Sequence, residues 1–244
     1  MRFDILTIFP GMISCYLNEG VLGRATADKR VDIRVVNIRD FAEGVHRSTD
    51  DRPYGGGAGM VMRPDPIYRA LESIDRPEGR NGVVLLSPGG EPFNQAMAWE
   101  FSRWNQLMLI CGRYEGVDER IKLLCVDREI SIGDYVLSGG ELGALVVIDA
   151  ISRLLPGVLG DDDSALGDCF EGGRLKYPQY TRPAEFKGCR VPPVLLNGNH
   201  EEIRKWRKRE AVKRTLEMRP DLFRVRDPDE EEKNILEDLR LEQT

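Results

Sequence analysis

Three glycine-bearing turns carry the residues best suited to holding a small molecule. Residues 107–111 run apolar into Gly112-Arg113-Tyr114-Glu115-Gly116. Residues 130–132 run into Gly133-Asp134-Tyr135-Val136-Leu137-Ser138-Gly139-Gly140, and residues 82–86 into Ser87-Pro88-Gly89-Gly90. Glycines at the carboxyl ends of buried strands let a ligand lie against backbone N–H and C=O groups, and open α/β sheets bind ligands at that edge. Glu115 and Tyr135 stand among these glycines, and a carboxylate there suits a cationic ligand such as a sulfonium or an amine. The alternative is three ordinary turns, because glycine after a strand is common.

Four further features invite chemistry. Arg153 stands near the end of the apolar helix at residues 141–155, four positions after Asp149. It reads either as a helix ion pair or as a cation held at a subunit interface, since a helix apolar on nearly every face must be covered. Asp168 is one acid in a polar segment that also holds Asp161, Asp162, Asp163 and Glu171, and its chemistry alone makes it a solvated charge. The run Arg204, Lys205, Arg207, Lys208, Arg209, Lys213 and Arg214 surrounds Trp206. Such a run is either a solvated helix face or a set of phosphate contacts, and the embedded aromatic favours nucleic acid. The loop Gly55-Gly56-Gly57-Ala58-Gly59 has neither the Lys-Ser/Thr of a P-loop nor the third glycine of GxGxxG, and reads as a flexible or close-packed backbone loop rather than a phosphate cradle.

The elements that must position these residues alternate strand and helix. Strands are expected at residues 3–9, 31–38, 82–86, 107–111 and 129–132, and helices at 12–26, 64–74, 93–104, 117–125 and 141–155. That alternation predicts an α/β fold with a mostly parallel sheet. Residues 161–180 lose all periodicity and read as a flexible interdomain linker. Helices return at residues 199–223, with Glu201 and Glu202 in the first turn, and at 230–242, with Ile235, Leu236 and Leu239 as the apolar stripe.

Bulk properties narrow the class. The 244 residues suffice for one large domain or two modest ones. Arg2 and Asp4 argue against a secretory leader and no apolar run reaches membrane-span length, so a cytoplasmic protein is expected. Five cysteines without CxxC spacing and only two histidines, His46 and His200, argue against a zinc cluster or a disulfide framework. The net charge of −6 resides in residues 227–244, which hold eight acids and two bases, so the rest of the chain is balanced and global acidity does not exclude a nucleic-acid partner.

Six strings in this order carry a closer resemblance: DILTIFP, PYGGGAGMVM, ICGRYEGVDER, SIGDYVLSGGE, PGVLG and YPQYTRP. Together they resemble the bacterial tRNA (guanine-N1)-methyltransferases of the knotted SPOUT superfamily, over residues 1–223. The resemblance implies transfer of a methyl group from S-adenosylmethionine to N1 of guanosine 37 in tRNA. It also implies a C-terminal trefoil knot in the catalytic domain, against the general rarity of knots, and a homodimer with active sites at its interface. Three parts are expected: a donor-binding knotted domain at 1–160, the linker at 161–180, and a small helical tRNA-binding domain with an acidic tail at 181–244.

Carried over by position, the donor pocket comprises Leu86, Ser87, Pro88, Gly112, Tyr114, Glu115, Gly116, Ile132, Gly133, Asp134, Tyr135, Val136, Leu137, Gly139 and Gly140. Asp168 matches the family's general base and Arg153 an arginine that assists it. Arg204, Lys205, Arg207, Lys208 and Arg209 fall in the part that grips tRNA. Family members tend to depend on Mg2+; with no metal-ligand spacing here, such an ion would bridge through substrate or water. One departure stands out. Where the family usually reads Leu-Leu, an acid, any residue and Pro, this chain has Arg174-Leu175-Lys176-Tyr177-Pro178. Lys176 puts a cation beside Asp168's segment, which leaves two alternatives: a knotted methyltransferase acting on another RNA, or an RNA-binding homologue with impaired catalysis.

Overall fold

The computed structural model describes residues 1–160 and 168–241. Asp161, Asp162 and Asp163, read above as linker, lie outside the described residues, as do residues 164–167 and 242–244. The chain divides into two compact units, Met1–Asp162 and Asp163–Thr244.

The first unit is built on a five-stranded sheet in the order β2-β1-β6-β5-β7, in which every pairing is parallel. The strands are β1 (Arg2–Thr7), β2 (Asp32–Asn37), β5 (Asn81–Pro92), β6 (Gln106–Cys111) and β7 (Arg128–Ser131). A two-stranded antiparallel pair, β3 (Asp50–Asp51) and β4 (Val61–Met62), lies apart from it. All six residues of β1 and of β6 are buried, which is the continuous apolar signature of a strand covered on both faces. Alternation along the strands sends side chains to opposite layers. Phe3, Ile5, Val84, Leu107 and Leu109 face a core with α1 (Pro10–Leu17), α2 (Gly20–Ala27), α4 (Gln95–Phe101) and α6 (Glu141–Ser152). Leu6, Val83, Leu85, Met108 and Ile110 face α3 (Pro64–Glu72) and α5 (Glu119–Cys125). The polar members of β1 have a place as well: Arg2 grips Asp4 with two hydrogen bonds of 2.8 and 3.0 Å, and Gln106 donates to Asp4 at 2.7 Å.

Three expectations need correction. The single helix at residues 12–26 is two, because the chain turns between Asn18 and Gly20, where Gly20 adopts φ +63°. The strand at 82–86 continues to Pro92: Leu86 pairs with Ile130, residues 87–90 bulge out, and Glu91 pairs with Ile130 again. Ser87-Pro88-Gly89-Gly90 is therefore a bulge within a strand rather than a strand end. The helix expected at 141–155 stops at Ser152, with Arg153 as its C-cap.

The second unit contains a short hairpin, β8 (Glu185–Phe186) with β9 (Cys189–Arg190), and helices α7 (His200–Met218), α8 (Leu222–Val225) and α9 (Glu230–Leu241). Asn199 caps α7 by accepting from the N–H groups of Glu201 and Glu202 at 3.2 and 3.4 Å. Asp229 and Glu232 exchange reciprocal side-chain-to-backbone bonds of 2.8 and 3.0 Å, a capping box that starts α9. Val212, Thr215, Leu222 and Leu239 form its small interior. The segment before α7 is tied into this unit by Arg174, whose side chain is 7% exposed and pairs with the 4% exposed Glu232 at 3.0 Å.

Candidate functional site

Beside the bulge of β5 and the carboxyl ends of β6 and β7 lies a cavity of about 410 Å³, within the range usual for small-molecule sites. Its walls are the three sequence-flagged stretches. Leu86, Ser87 and Pro88 come from the β5 bulge, Gly112, Tyr114, Glu115 and Gly116 from the turn after β6, and Ile132, Gly133, Tyr135, Val136, Leu137, Gly139 and Gly140 from the loop before α6. Asp134 is exposed and is not part of the lining.

Close backbone approach builds these walls. Gly140 donates its N–H to the Gly112 carbonyl at 2.9 Å. A Cβ at Gly140 would stand 2.8 Å from the Cys111 Cα and 3.0 Å from the Leu86 Cβ, so only glycine lets the start of α6 come this close to β5 and β6. Gly59 lies equally close to the Glu115 side chain, and Glu115 N–H donates to the Met60 carbonyl at 2.9 Å. Only Gly59 of the glycine-rich loop is closely packed in this way; Gly55, Gly56 and Gly57 are exposed, with open space where a side chain would stand.

Arg113 and Glu141 brace the walls from behind. Their ion pair is 2.9 Å long, with side chains 13% and 1% exposed. Glu141 also accepts from Thr7 Oγ1 at 2.7 Å, while Arg113 donates to the Ser138 carbonyl at 3.1 Å and lies over the Phe9 ring at 4.5 Å. One network therefore connects β1, the Gly112 turn, the Ser138 loop and the start of α6. Desolvation first, and neighbouring Asp50 second, push the Tyr114 hydroxyl above its ordinary value. Burial drives the Cys111 thiol up well beyond the usual thiol range, so it stays neutral beneath the cavity. Sequence reasoning missed Arg113, Glu119, Lys122, Ser138 and Gly143 as lining residues. Gly143 had a signal, three positions after Gly140 on the same helix face. Burial opposes the Lys122 charge, yet Glu129 at 3.1 Å and Glu119 at 3.4 Å outweigh it and hold the ammonium above its ordinary value.

The other candidates lie as follows. Arg153, exposed, caps α6 in the first unit, its N–H donating to the Asp149 carbonyl at 3.2 Å. Asp168, half-buried, belongs to the second unit and faces Lys176 Nζ at 2.9 Å. Arg204, Lys205, Arg207, Lys208 and Arg209 all lie on α7, but not in equal settings. Arg204 pairs with Glu201 and Glu231, Lys208 with Asp229 and Glu231, and Lys205 with Glu201. Trp206 is enclosed by Tyr177 and Tyr180, with ring centroids 6.5 and 6.3 Å away, and Arg207 lies over Tyr177 at 5.0 Å. Trp206 thus packs the segment preceding α7 onto that helix rather than standing out as a bare stacking surface. Among the described residues no group of three or more His, Cys, Asp or Glu could hold a metal ion, and no helix is long and apolar enough to cross a membrane.

The family model described as tRNA (Guanine-1)-methyltransferase TrmD matches residues 1–225. The chain is 52% identical over 242 residues to the tRNA (guanine-N(1)-)-methyltransferase of Dictyoglomus turgidum, covering 99% of this chain and 98% of that one. It is 53% identical over 242 residues to the protein of the same name from Moorella thermoacetica, with 98% and 96% covered. To that of Halalkalibacterium halodurans it is 49% identical over 244 residues, with 100% and 99% covered. A match that takes in every wall of the cavity, and relatives about half identical along their whole length, place the chain in the tRNA (guanine-1)-methyltransferase family.

Proposed function

We infer that the protein methylates N1 of guanosine 37 in tRNA and takes the methyl group from S-adenosylmethionine. The observation that carries this reading is the cavity beside β5, β6 and β7, in a chain whose family transfers methyl groups to tRNA guanine. Its lining suits such a donor. Leu86, Ile132 and Leu137 offer apolar surface for a base, the Gly112 and Gly139-Gly140 backbone offers close polar contacts, and Glu115 supplies negative charge for a cationic sulfur or amine. When bound, the donor supplies a sulfonium methyl that needs no activation beyond in-line alignment.

The remaining work falls to the chain's own groups. Guanine N1 carries a proton at neutral pH and is a poor nucleophile until it leaves. Asp168 accepts that proton, a contribution of about a hundred- to ten-thousand-fold for a positioned base. As the proton departs, charge builds on guanine O6, where the Arg153 guanidinium stabilises it. The basic face of α7 holds tRNA phosphates, and magnesium acts through those phosphates and water rather than in a protein cage. The chain around the cavity threads a trefoil knot, and 1–160, 161–180 and 181–244 serve as catalytic domain, linker and tRNA-binding domain. The protein works in the cytoplasm as a homodimer with active sites at the interface. In support, α1 packs on α6 while Met12, Tyr16, Leu142 and Val146 on those helices stay 45–52% exposed, an apolar face that a second copy would cover.

The test is to map the product. Labelled donor, with unmodified tRNA bearing guanosine or adenosine at position 37, should label only the guanosine form, at N1. Label at another atom, or on ribosomal RNA in preference, would overturn the substrate reading.

A further inference from the structure

The short loop between Asp168 and Lys176 is more fixed than a linker requires. Phe170 N–H donates to the Arg174 carbonyl at 2.6 Å, Gly173 N–H to the Phe170 carbonyl at 3.0 Å, and Lys176 N–H to Cys169 Sγ at 3.2 Å. Its far end is bolted to the helices of its own unit. Leu175 N–H donates to Thr215 Oγ1 at 3.0 Å, and Thr215 is fully buried. Arg174 holds Glu232 at 3.0 Å and the carbonyls of Leu222 and Arg226 at 3.4 and 3.2 Å. The backbone leading into Lys176 is thereby held by α7, α8 and α9, and the Lys176 ammonium reaches back to Asp168 Oδ1 at 2.9 Å.

We propose that Lys176 is a positioning residue for the reaction: it orients the Asp168 carboxylate from a platform built by the helical unit, at the point where the family pattern carries an acid instead. The proposal rests on the reading of Asp168 as the base. A carboxylate has about four lone-pair sites, so an ammonium held at Oδ1 is compatible with accepting the guanine proton. Lys176 neither gains nor loses a proton in the step. Its value is geometric, because a partly exposed ion pair of this kind adds little to the stability of a fold, whereas misplacing a catalytic group by an ångström costs up to about a hundredfold in rate.

The experiment measures methyl transfer in single turnover at saturating tRNA and donor, together with KM for tRNA and the melting temperature, on the full-length protein. Lys176→Met is expected to lose about tenfold in rate, within the range that misplacement costs, with KM for tRNA and melting temperature nearly unchanged. Lys176→Arg should restore most of the rate, and in an Asp168→Asn background Lys176→Met should cost nothing further. A Lys176→Met rate equal to the parent overturns the proposal. So does a loss confined to KM, which would make Lys176 a phosphate contact, or an undiminished loss in the Asp168→Asn background. Asp168→Asn alone separates the two readings: if it is fully active, the base assignment itself fails; if it is inactive while Lys176→Met is normal, only the positioning role fails.

Discussion

Removing Glu141 tests whether the donor cavity is held open from behind. Glu141 is 1% exposed, accepts from Thr7 at 2.7 Å, and pairs at 2.9 Å with Arg113, which in turn holds the Ser138 carbonyl at 3.1 Å. Glu141→Gln keeps the shape. Its carbonyl oxygen can face Arg113 and its amide can donate to Thr7 Oγ1, which already accepts from Phe9 N–H at 2.9 Å and has a second lone pair. The loss is then the ionic part of the Arg113 bond together with the acceptor of the buried Thr7 hydroxyl proton, about 1–3 kcal/mol. Glu141→Leu strands Arg113, for which breaking a buried pair costs about 3–5 kcal/mol. Because Arg113 remains 13% exposed and keeps Ser138 and the Phe9 ring, the lower end applies. At about 2–4 °C per kcal/mol for a unit of this size, Glu141→Leu should melt about 6–12 °C below the parent, and Glu141→Gln, about 2–12 °C below, no lower than the leucine variant. The freed Ser138 loop should also raise KM for S-adenosylmethionine, roughly tenfold for the leucine variant if 1.4 kcal/mol of wall rigidity is lost. Thermal melts and donor titrations read both effects. A leucine variant with the parent's melting temperature and KM would refute the bracing role of the Arg113–Glu141 pair.

Three further outcomes follow from the second unit. Arg174→Leu removes the buried partner of Glu232, though Arg226 still pairs with that carboxylate at 2.7 Å; urea unfolding should show a loss of about 3 kcal/mol, and a loss below about 1 would show that the pair contributes little. Arg204 and Lys208 already spend their charge on Glu231 and Asp229, so Arg207→Ala should flatten the salt dependence of tRNA binding by about 0.7–0.9 in log–log slope, Arg204→Ala should flatten it less, and Glu231→Gln should tighten binding. An equal effect of Arg207→Ala and Arg204→Ala would remove the distinction. Finally, Lys208 first and Arg204 second hold the Glu231 carboxyl below its ordinary range, and the Glu232 N–H with Lys208 does the same for Asp229. Groups depressed in the folded state stabilise it above their unfolded value and release it as pH falls through the folded one. Hydrogen exchange in α9 should therefore stay protected down to about pH 4.5 and rise below about pH 4, near and below the ordinary carboxylate values; protection that persists to strongly acid pH would contradict the role of these pairs.

What could be read from the sequence was what depends on neighbours along the chain. The all-buried runs of β1 and β6, the parallel alternation and the Asn199 cap follow from local pattern and local hydrogen bonds. Fourteen of the fifteen proposed donor-site residues line the cavity because the β5 bulge and the turns after β6 and β7 gather at one edge of one parallel sheet. Contacts spanning large sequence separations were out of reach. Arg113 meets Glu141 across 28 positions and Arg174 meets Glu232 across 58, and no local signal marks either pair. The extension of β5 past Pro88 was hidden for a related reason: proline and glycines read as a turn, whereas Gly90 fits flush against the Ile130 backbone and lets the strand resume. Trp206 among basic residues looked like a stacking surface, and only Tyr177 and Tyr180 from a separate segment reveal its packing role.

In the proposed division of labour, the cavity beside β5, β6 and β7 binds the donor and Asp168 removes the guanine N1 proton. Comparing S-adenosylmethionine binding with single-turnover methyl transfer in Asp168→Asn tests it most directly. The account predicts donor affinity equal to the parent's and a transfer rate lower by at least about a hundredfold, the usual worth of a positioned base. Transfer at the parental rate would contradict the account, and a loss of donor binding would move Asp168 from the proton to the pocket.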